Sequence, residues 1–136
     1  KNKYMYIYMG YENGEIYIIC NNYGMCYIGS TIQGIKRRLG KHQSDFRGYT
    51  DIDRRFRNYR SSFEVVKDPC DIYLLESYPC EDQHELEIRE AQWILRLHDL
   101  CCITNKNIPH ILSDDKIYES EQINISTNIK ELLFIN

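Results

Sequence analysis

No stretch of this chain approaches the roughly 18 apolar residues that a membrane-spanning helix requires, so no membrane partner is expected. Paired-cysteine spacing is also missing. Cys20, Cys26, Cys70, Cys80, Cys101 and Cys102 form no CxxC pair, which leaves zinc without closely spaced ligands. A disulfide framework is rarely needed at this chain length, so reduced, packing cysteines and an intracellular location are expected. His84, His98 and His110 are scattered and give no HExxH, and there is no P-loop, no dinucleotide-binding glycine motif and no GxSxG. The opening "KNKYMYIYMG" has a basic start and a short apolar stretch but no small-residue cleavage site, so it does not read as a signal peptide. The absent initiating methionine is expected of a trimmed chain or a segment of a longer one. Internal repeats and low-complexity tracts are absent.

What is present is an ordinary globular composition: 136 residues, 43% hydrophobic and 27% charged, enough for one domain with its own core. The net charge of −3 hides an asymmetry. Residues 36–67 hold ten Lys/Arg against four Asp/Glu, a local +6, whereas residues 68–136 hold five against fourteen, a local −9. Such a chain can offer a cationic surface to a polyanion while remaining acidic overall. Folding can equally mix the charges again.

"EIYIIC" (Glu15–Cys20) and "MCYIGS" (Met25–Ser30) are short, β-branched and aromatic, and "NNYG" between them has hairpin-loop chemistry. Lys3–Met9 reads as an additional edge strand. Ser30 or Thr31 can cap a helix over 33–46, whose face carries Ile35, Leu39, His42 and Phe46. A short helix is expected near Asp51–Asn58, and "DIYLLESYP" (Asp71–Pro79) reads as a central strand. Residues 81–100 form the strongest helix, with Asp82 and Glu85 in a capping-box pattern and Leu86, Glu90, Trp93 and Leu97 on one stripe. "CCITNKNIP" reads as irregular or a short helix. The tail is polar and then amphipathic, with Ser126 as a cap for Ile129, Leu132 and Leu133. The expected class is α+β: a small antiparallel sheet of about three strands, with helices against it, in the order β-β-α-α-β-α.

Glu90 is the most informative residue. It occupies a stripe where leucine would pack better, and removing a carboxylate from water without a partner costs several kcal/mol. It therefore needs an arginine, a hydrogen-bond network or a metal ion. Arg38 and His42 stand at i and i+4, on one helix face about 6 Å apart along the axis. A guanidinium fork suits phosphate and an imidazole suits proton handling, but read alone "RRLGKH" is more simply a solvated basic helix end. Tyr17 and Tyr27 lie on opposite hairpin strands, where strand packing is the simpler account. "DRRFRNYR" (Asp53–Arg60) interleaves Arg54, Arg55, Arg57 and Arg60 with Phe56 and Tyr59. It suits a nucleic-acid surface or an exposed helix with two buried aromatics.

Taken in order, these segments resemble the GIY-YIG nuclease superfamily over residues 14–109. Glu15-Ile16-Tyr17 stands where the family has Gly-Ile-Tyr, and Tyr27-Ile28-Gly29 is intact. Gly29-Ser30-Thr31 and the Arg38-to-His42 step match the family's turn and basic helix. "REAQWI" (Arg89–Ile94) matches its Glu-x-x-Trp-Ile helix, and "TNKN" its late asparagine, with Asn105 the match and Asn107 the competitor. The stretch from Gly29 to Tyr49 is similar to small members of the family in large DNA viruses and phages, which would place the protein in host cytoplasm or nucleus.

The resemblance implies a catalytic domain over 1–112, a tail over 113–136, and a DNA endonuclease using one Mg²⁺ or Mn²⁺. Glu90 would hold the metal, and Arg38 would bind the phosphate. Tyr17 and His42 would share water activation, with the choice of general base open, and neighbouring cations would have to lower the Tyr17 pKa. Tyr27 would buttress the site. Gly29, Ser30 and Trp93 would be structural, and Arg37, Lys41, Arg54, Arg55, Arg57 and Arg60 would face nucleic acid. The tail lacks basic character, so the domain is expected either to be sparingly specific or to rely on an additional DNA-binding domain or partner missing from this chain. The rival readings are a catalytically silent nucleic-acid-binding module on the same fold and a protein-interaction domain using the acidic half.

Overall fold

The computed structural model describes residues 10–53, 58–106 and 108. Strand β1 (Glu15–Asn21) is the sheet's most buried element, with Ile16, Tyr17, Ile18 and Ile19 all but inaccessible to solvent. A strand covered on both faces needs a continuous apolar run, which "IYII" supplies. β1 pairs antiparallel with β2 (Met25–Thr31) on one side and with β3 (Cys70–Ser77) on the other. The hairpin closes as its composition suggests: the Asn21 side chain accepts the Tyr23 and Met25 amides, both at 3.0 Å, a local Asx turn.

The expected three-strand antiparallel unit is therefore present, and a fourth strand extends it. β4 (Cys102–Ile103) pairs parallel with Met25 and Cys26, giving a mixed sheet of order β3-β1-β2-β4. This corrects the reading of "CCITNKNIP" as irregular or helical. Two residues are too few to show a strand period in sequence. The expected Lys3–Met9 strand and the helix capped by Ser126 lie outside the described residues.

Among the described residues, three helices pack on the sheet. Helix α1 (Ile35–Thr50) begins later than Ser30 or Thr31 would allow. β2 continues through Thr31, which still pairs with Glu15. The Thr31 hydroxyl instead accepts the Gln33 amide at 3.1 Å. The cap position falls on Gly34 at φ +93°, a conformation that strains any other residue. Of the short helix expected near Asp51–Asn58, residues 51–53 and 58 are not helical and 54–57 lie outside the described residues; the next described helix is α2 (Phe63–Val66). Asp51 already terminates α1 in an extended conformation, and Phe63, Val65 and Val66 are the residues with an apolar face to bury. Helix α3 (Gln83–Leu97) starts at its expected cap: the Asp82 carboxylate accepts the Glu85 amide at 2.9 Å, and the Glu85 carboxylate accepts the Glu81 amide at 3.0 Å.

Alternation along β1 divides the core in two. Ile16 and Ile18, with Ile28 from β2, pack against Leu86, Trp93, Ile94 and Leu97 of α3. Tyr17 and Ile19 face the other way, toward Phe63, Val65 and Val66, with Ile35, Leu39 and Phe46 of α1 closing that side. Trp93 is held in the first cluster by a hydrogen bond from its indole to Glu76, which also receives Arg89 at 2.6 and 2.8 Å.

One cross-strand pair sets the reach of a buried phenol. Tyr17 stands opposite Gly29, and a Cβ on Gly29 would fall 2.2 Å from the Tyr17 hydroxyl oxygen and 2.4 Å from its ring. The phenol lies across the bare glycine. Gly29→Ala is expected to displace the Tyr17 ring and lower stability by about 1–3 kcal/mol, the usual cost of overpacking. Denaturant melts of the variant and the wild type check this.

Candidate active site

Tyr17 enters the site from β1, pointing to the α1 face. Its hydroxyl is 2.7 Å from His42 Nε2 and receives the Arg38 Nε–H at 3.4 Å. His42, fully buried on α1, is 3.0 Å from the Ser62 hydroxyl through Nδ1. One proton pattern satisfies all these groups. The Tyr17 O–H donates to Nε2, the Tyr17 oxygen accepts from Arg38, and Nδ1–H donates to Ser62. The Tyr27 ring meets the His42 ring edge-on, with centroids 5.3 Å apart. Side chains from β1, β2, α1 and the start of α2 are thus joined around one imidazole.

Glu90 projects from α3 on the opposite face. Its stripe neighbours Leu86, Trp93 and Leu97 are buried as expected, while Glu90 itself is half-buried. The Ser30 hydroxyl donates to its carboxylate at 2.8 Å. Glu90, Ser30 and Arg38 line a cavity of about 470 Å³. Arg38 therefore links the two halves of the site: it donates to Tyr17 on one side and lines the Glu90 cavity on the other. Tyr17, Tyr27 and His42 do not line that cavity.

Burial governs the protonation states. Desolvation pushes the Glu90 carboxyl up to about 7, with the Ser30 hydroxyl bond pulling it down, Glu87 nearby adding to the rise and Arg38 again lowering it. Desolvation, aided by the Arg38 and Arg60 guanidiniums, pushes His42 down to about 3. The Tyr17 phenol is raised well above its ordinary value, first by burial and then by Tyr27, against the lowering effect of Arg38. Of the cations expected to lower it, the Arg38 guanidinium at 3.4 Å does not by itself outweigh nearly complete removal from water. Tyr27 is raised for the same first reason, burial, and then by Glu90.

The other expected site residues are dispersed. Asn105 stands at the outer edge of β2, where its side chain accepts the Ile28 amide at 2.9 Å and donates to the Ile28 carbonyl at 2.7 Å. Arg37 is exposed on α1. Lys41 is also exposed and pairs with buried Asp45 at 3.0 Å; Arg60 approaches the same carboxylate at 3.7 Å. Trp93 lies in the α3-side core, bonded to Glu76 and not to Glu90. Arg54, Arg55, Arg57 and Asn107 lie outside the described residues.

Two further residues at the site are not among those the sequence singles out. Ser62 has no exposed surface, and its hydroxyl goes to His42 while leaving α2 without a side-chain cap. Asp45 is buried three residues beyond His42, between Lys41 and Arg60. A Lys–Asp pair at i, i+4 is a readable helix signal, but nothing local marks Ser62. Among the described residues no group of three or more His, Cys, Asp and Glu side chains could hold a metal, and no helix is long and apolar enough to cross a membrane.

Comparison with protein families matches residues 13–99 to the GIY-YIG catalytic domain. The match spans Tyr17, Tyr27, Arg38, His42 and Glu90 and stops before Asn105. Comparisons with curated proteins and with solved structures found no match.

The buried imidazole makes stability depend on pH. Its folded pKa is depressed from 6.5 to about 3, so its contribution is complete above about pH 6.5 and is lost as pH falls toward 3. Denaturant melts between pH 7 and pH 4 are expected to show wild-type stability falling more steeply than that of His42→Gln, which has no proton to gain at this position.

Proposed function

The chain belongs to the GIY-YIG family, a family of nuclease domains, and from that premise we propose that it is a divalent-metal-dependent endonuclease hydrolysing phosphodiester bonds in DNA. One observation carries the reading. Arg38 touches the Tyr17–His42–Ser62 chain and lines the Glu90 cavity, so a phosphate on its guanidinium would lie between a proton-accepting group and a carboxylate.

Glu90 fits a single divalent ion. It is one carboxylate at the wall of a cavity roomy enough for a hydrated cation, and its proton affinity is raised because burial leaves its charge under-compensated. With no cluster of acidic or imidazole ligands among the described residues, the remaining coordination would come from water and phosphate. A bound Mg²⁺ or Mn²⁺ would supply Lewis-acid stabilisation of the phosphate charge.

The chain's own residues handle the proton. A water beside Tyr17 gives its proton to the phenol oxygen as the Tyr17 proton passes to His42 Nε2; the water oxygen bonds to phosphorus as the P–O bond to the leaving nucleoside oxygen breaks, and that oxygen takes a proton from solvent. No free phenolate forms, which suits a phenol whose pKa is raised rather than lowered. With Nδ1–H donated to the Ser62 hydroxyl, Nε2 is left as the acceptor. The resulting imidazolium would be costly beside Arg38 and Arg60 alone; a phosphate anion on Arg38 offsets that cost. Tyr27 holds the imidazole plane. Arg37 and Lys41, exposed on α1, would meet flanking phosphates, and a further DNA-binding domain or partner would add affinity.

Wild-type protein is expected to nick supercoiled plasmid in Mg²⁺ or Mn²⁺. Glu90→Ala and Arg38→Ala are each expected to lose about 10²–10³-fold in rate; undiminished nicking by Glu90→Ala would refute the assignment. Independently of turnover, calorimetric Mn²⁺ affinity is expected to weaken as pH falls below about 7, because the ion must displace the Glu90 proton.

A further inference from the structure

The cavity beside Glu90 extends beyond what a metal ion and one phosphate need. Its far wall is made by Tyr11, Ile32 and Leu86, with Gln83 and Glu87 at the rim. Tyr11 and Ile32 are partly buried and Leu86 is buried, all packed onto the α3-side core, so this wall is built into the fold. A volume of about 470 Å³ falls within the range of small-ligand pockets, and its lining sets one apolar and aromatic wall, Tyr11, Ile32 and Leu86, against a larger polar and charged surface.

The charges restrict what can enter. Glu87 and Glu90 oppose a run of phosphates, and Arg38 is the cavity's lone cation among the described residues. The start of α3 adds the exposed carboxylates of Glu81, Asp82 and Glu85. The phosphates of a complementary strand lying there would be repelled. The opposite flank is cationic: Lys36, Arg37 and Lys41 are exposed on α1. A nucleic-acid strand therefore runs from the α1 side over Arg38, and beyond Arg38 an uncharged portion enters the cavity. A nucleoside is such a portion: a sugar and base, with an aromatic plane for Tyr11 and hydrogen-bonding edges for the Gln83 carboxamide. The Gln83 Nε2 already donates to Glu87 at 2.6 Å, which fixes the amide's orientation.

Resting on the nuclease reading, direction follows as well. In an in-line displacement the attacking and leaving oxygens lie on opposite sides of phosphorus. Tyr17 and His42 are on the α1 face, Glu90 and the cavity on the α3 face, with Arg38 between them. The cavity is thus on the leaving-group side.

We infer that the Tyr11–Ile32–Leu86–Gln83 cavity is a nucleoside subsite for the leaving side of the cut, and that the protein prefers DNA whose nucleotide at this position is unpaired. A paired base cannot turn into the cavity without breaking its stack, whereas a bulged or single-stranded one enters at little cost.

The test is equilibrium binding in EDTA, so that it does not depend on cleavage. Fluorescence anisotropy compares a fully paired duplex with duplexes of the same sequence carrying one unpaired nucleotide, and with one carrying an abasic residue instead. The unpaired nucleotide is expected to tighten binding by about tenfold, the scale of one base stacked on an aromatic ring, and the abasic residue to remove that gain. Gln83→Leu, at an exposed position, and Tyr11→Ala are each expected to bring the affinities for paired and unpaired DNA to within about twofold. Equal affinities in the wild type, or a preference that survives both substitutions, would overturn the subsite. Plasmid nicking with equal affinities would leave the nuclease reading standing and remove only the subsite; a preference without nicking would do the reverse.

Discussion

The absence of a side chain at Gly29 is the constraint on which the site depends. Because the Tyr17 ring lies over a bare Cα, its hydroxyl reaches across β2 rather than stopping above its own strand. That reach brings it within 2.7 Å of His42 and 3.4 Å of Arg38, two residues one helical turn apart on α1. A buried phenol must find a hydrogen-bond partner, and the imidazole provides one. The imidazole in turn needs a partner for its second nitrogen, which Ser62 provides from the start of another helix. One missing methyl group thus sets the mutual positions of a strand and two helices.

Burial favours the neutral form of each titrating group in the site: phenol, imidazole and, to a lesser extent, carboxylic acid. Arg38 is the permanent charge at the junction. Its charge favours the ionised forms of Tyr17 and Glu90 and disfavours that of His42, without outweighing burial. Asp45 shows the same logic at the margin: a buried carboxylate tolerated because Lys41 and Arg60 stand beside it.

Features with local periodicity or a local turn rule are legible in the sequence. The β1–β2 hairpin, the Asp82 cap of α3 and the odd placement of Glu90 each leave a mark within a few neighbouring residues. The family resemblance then ties Tyr17, Arg38 and Glu90 to one site, which spacing alone leaves open. The departures share a different cause. β4 is two residues long and exists because β2 offers an edge. α1 starts at Ile35 because β2 does not end until Thr31. Ser62 meets His42 only after α2 has packed against α1. The direction of the Tyr17 shift depends on how deeply the ring is buried, which no spacing rule expresses.

Asn105 illustrates a further property of this sheet. Its amide offers Ile28 one acceptor and one donor, the same pair of groups that a neighbouring strand would present. Thr104 satisfies the Cys26 carbonyl just before it at 2.8 Å. The side chain thus acts as a counterfeit strand residue: it closes the border of β2 for one more step. A border sealed in this way resists recruitment of a foreign strand. Next to it, Ser30 remains turned toward the cavity.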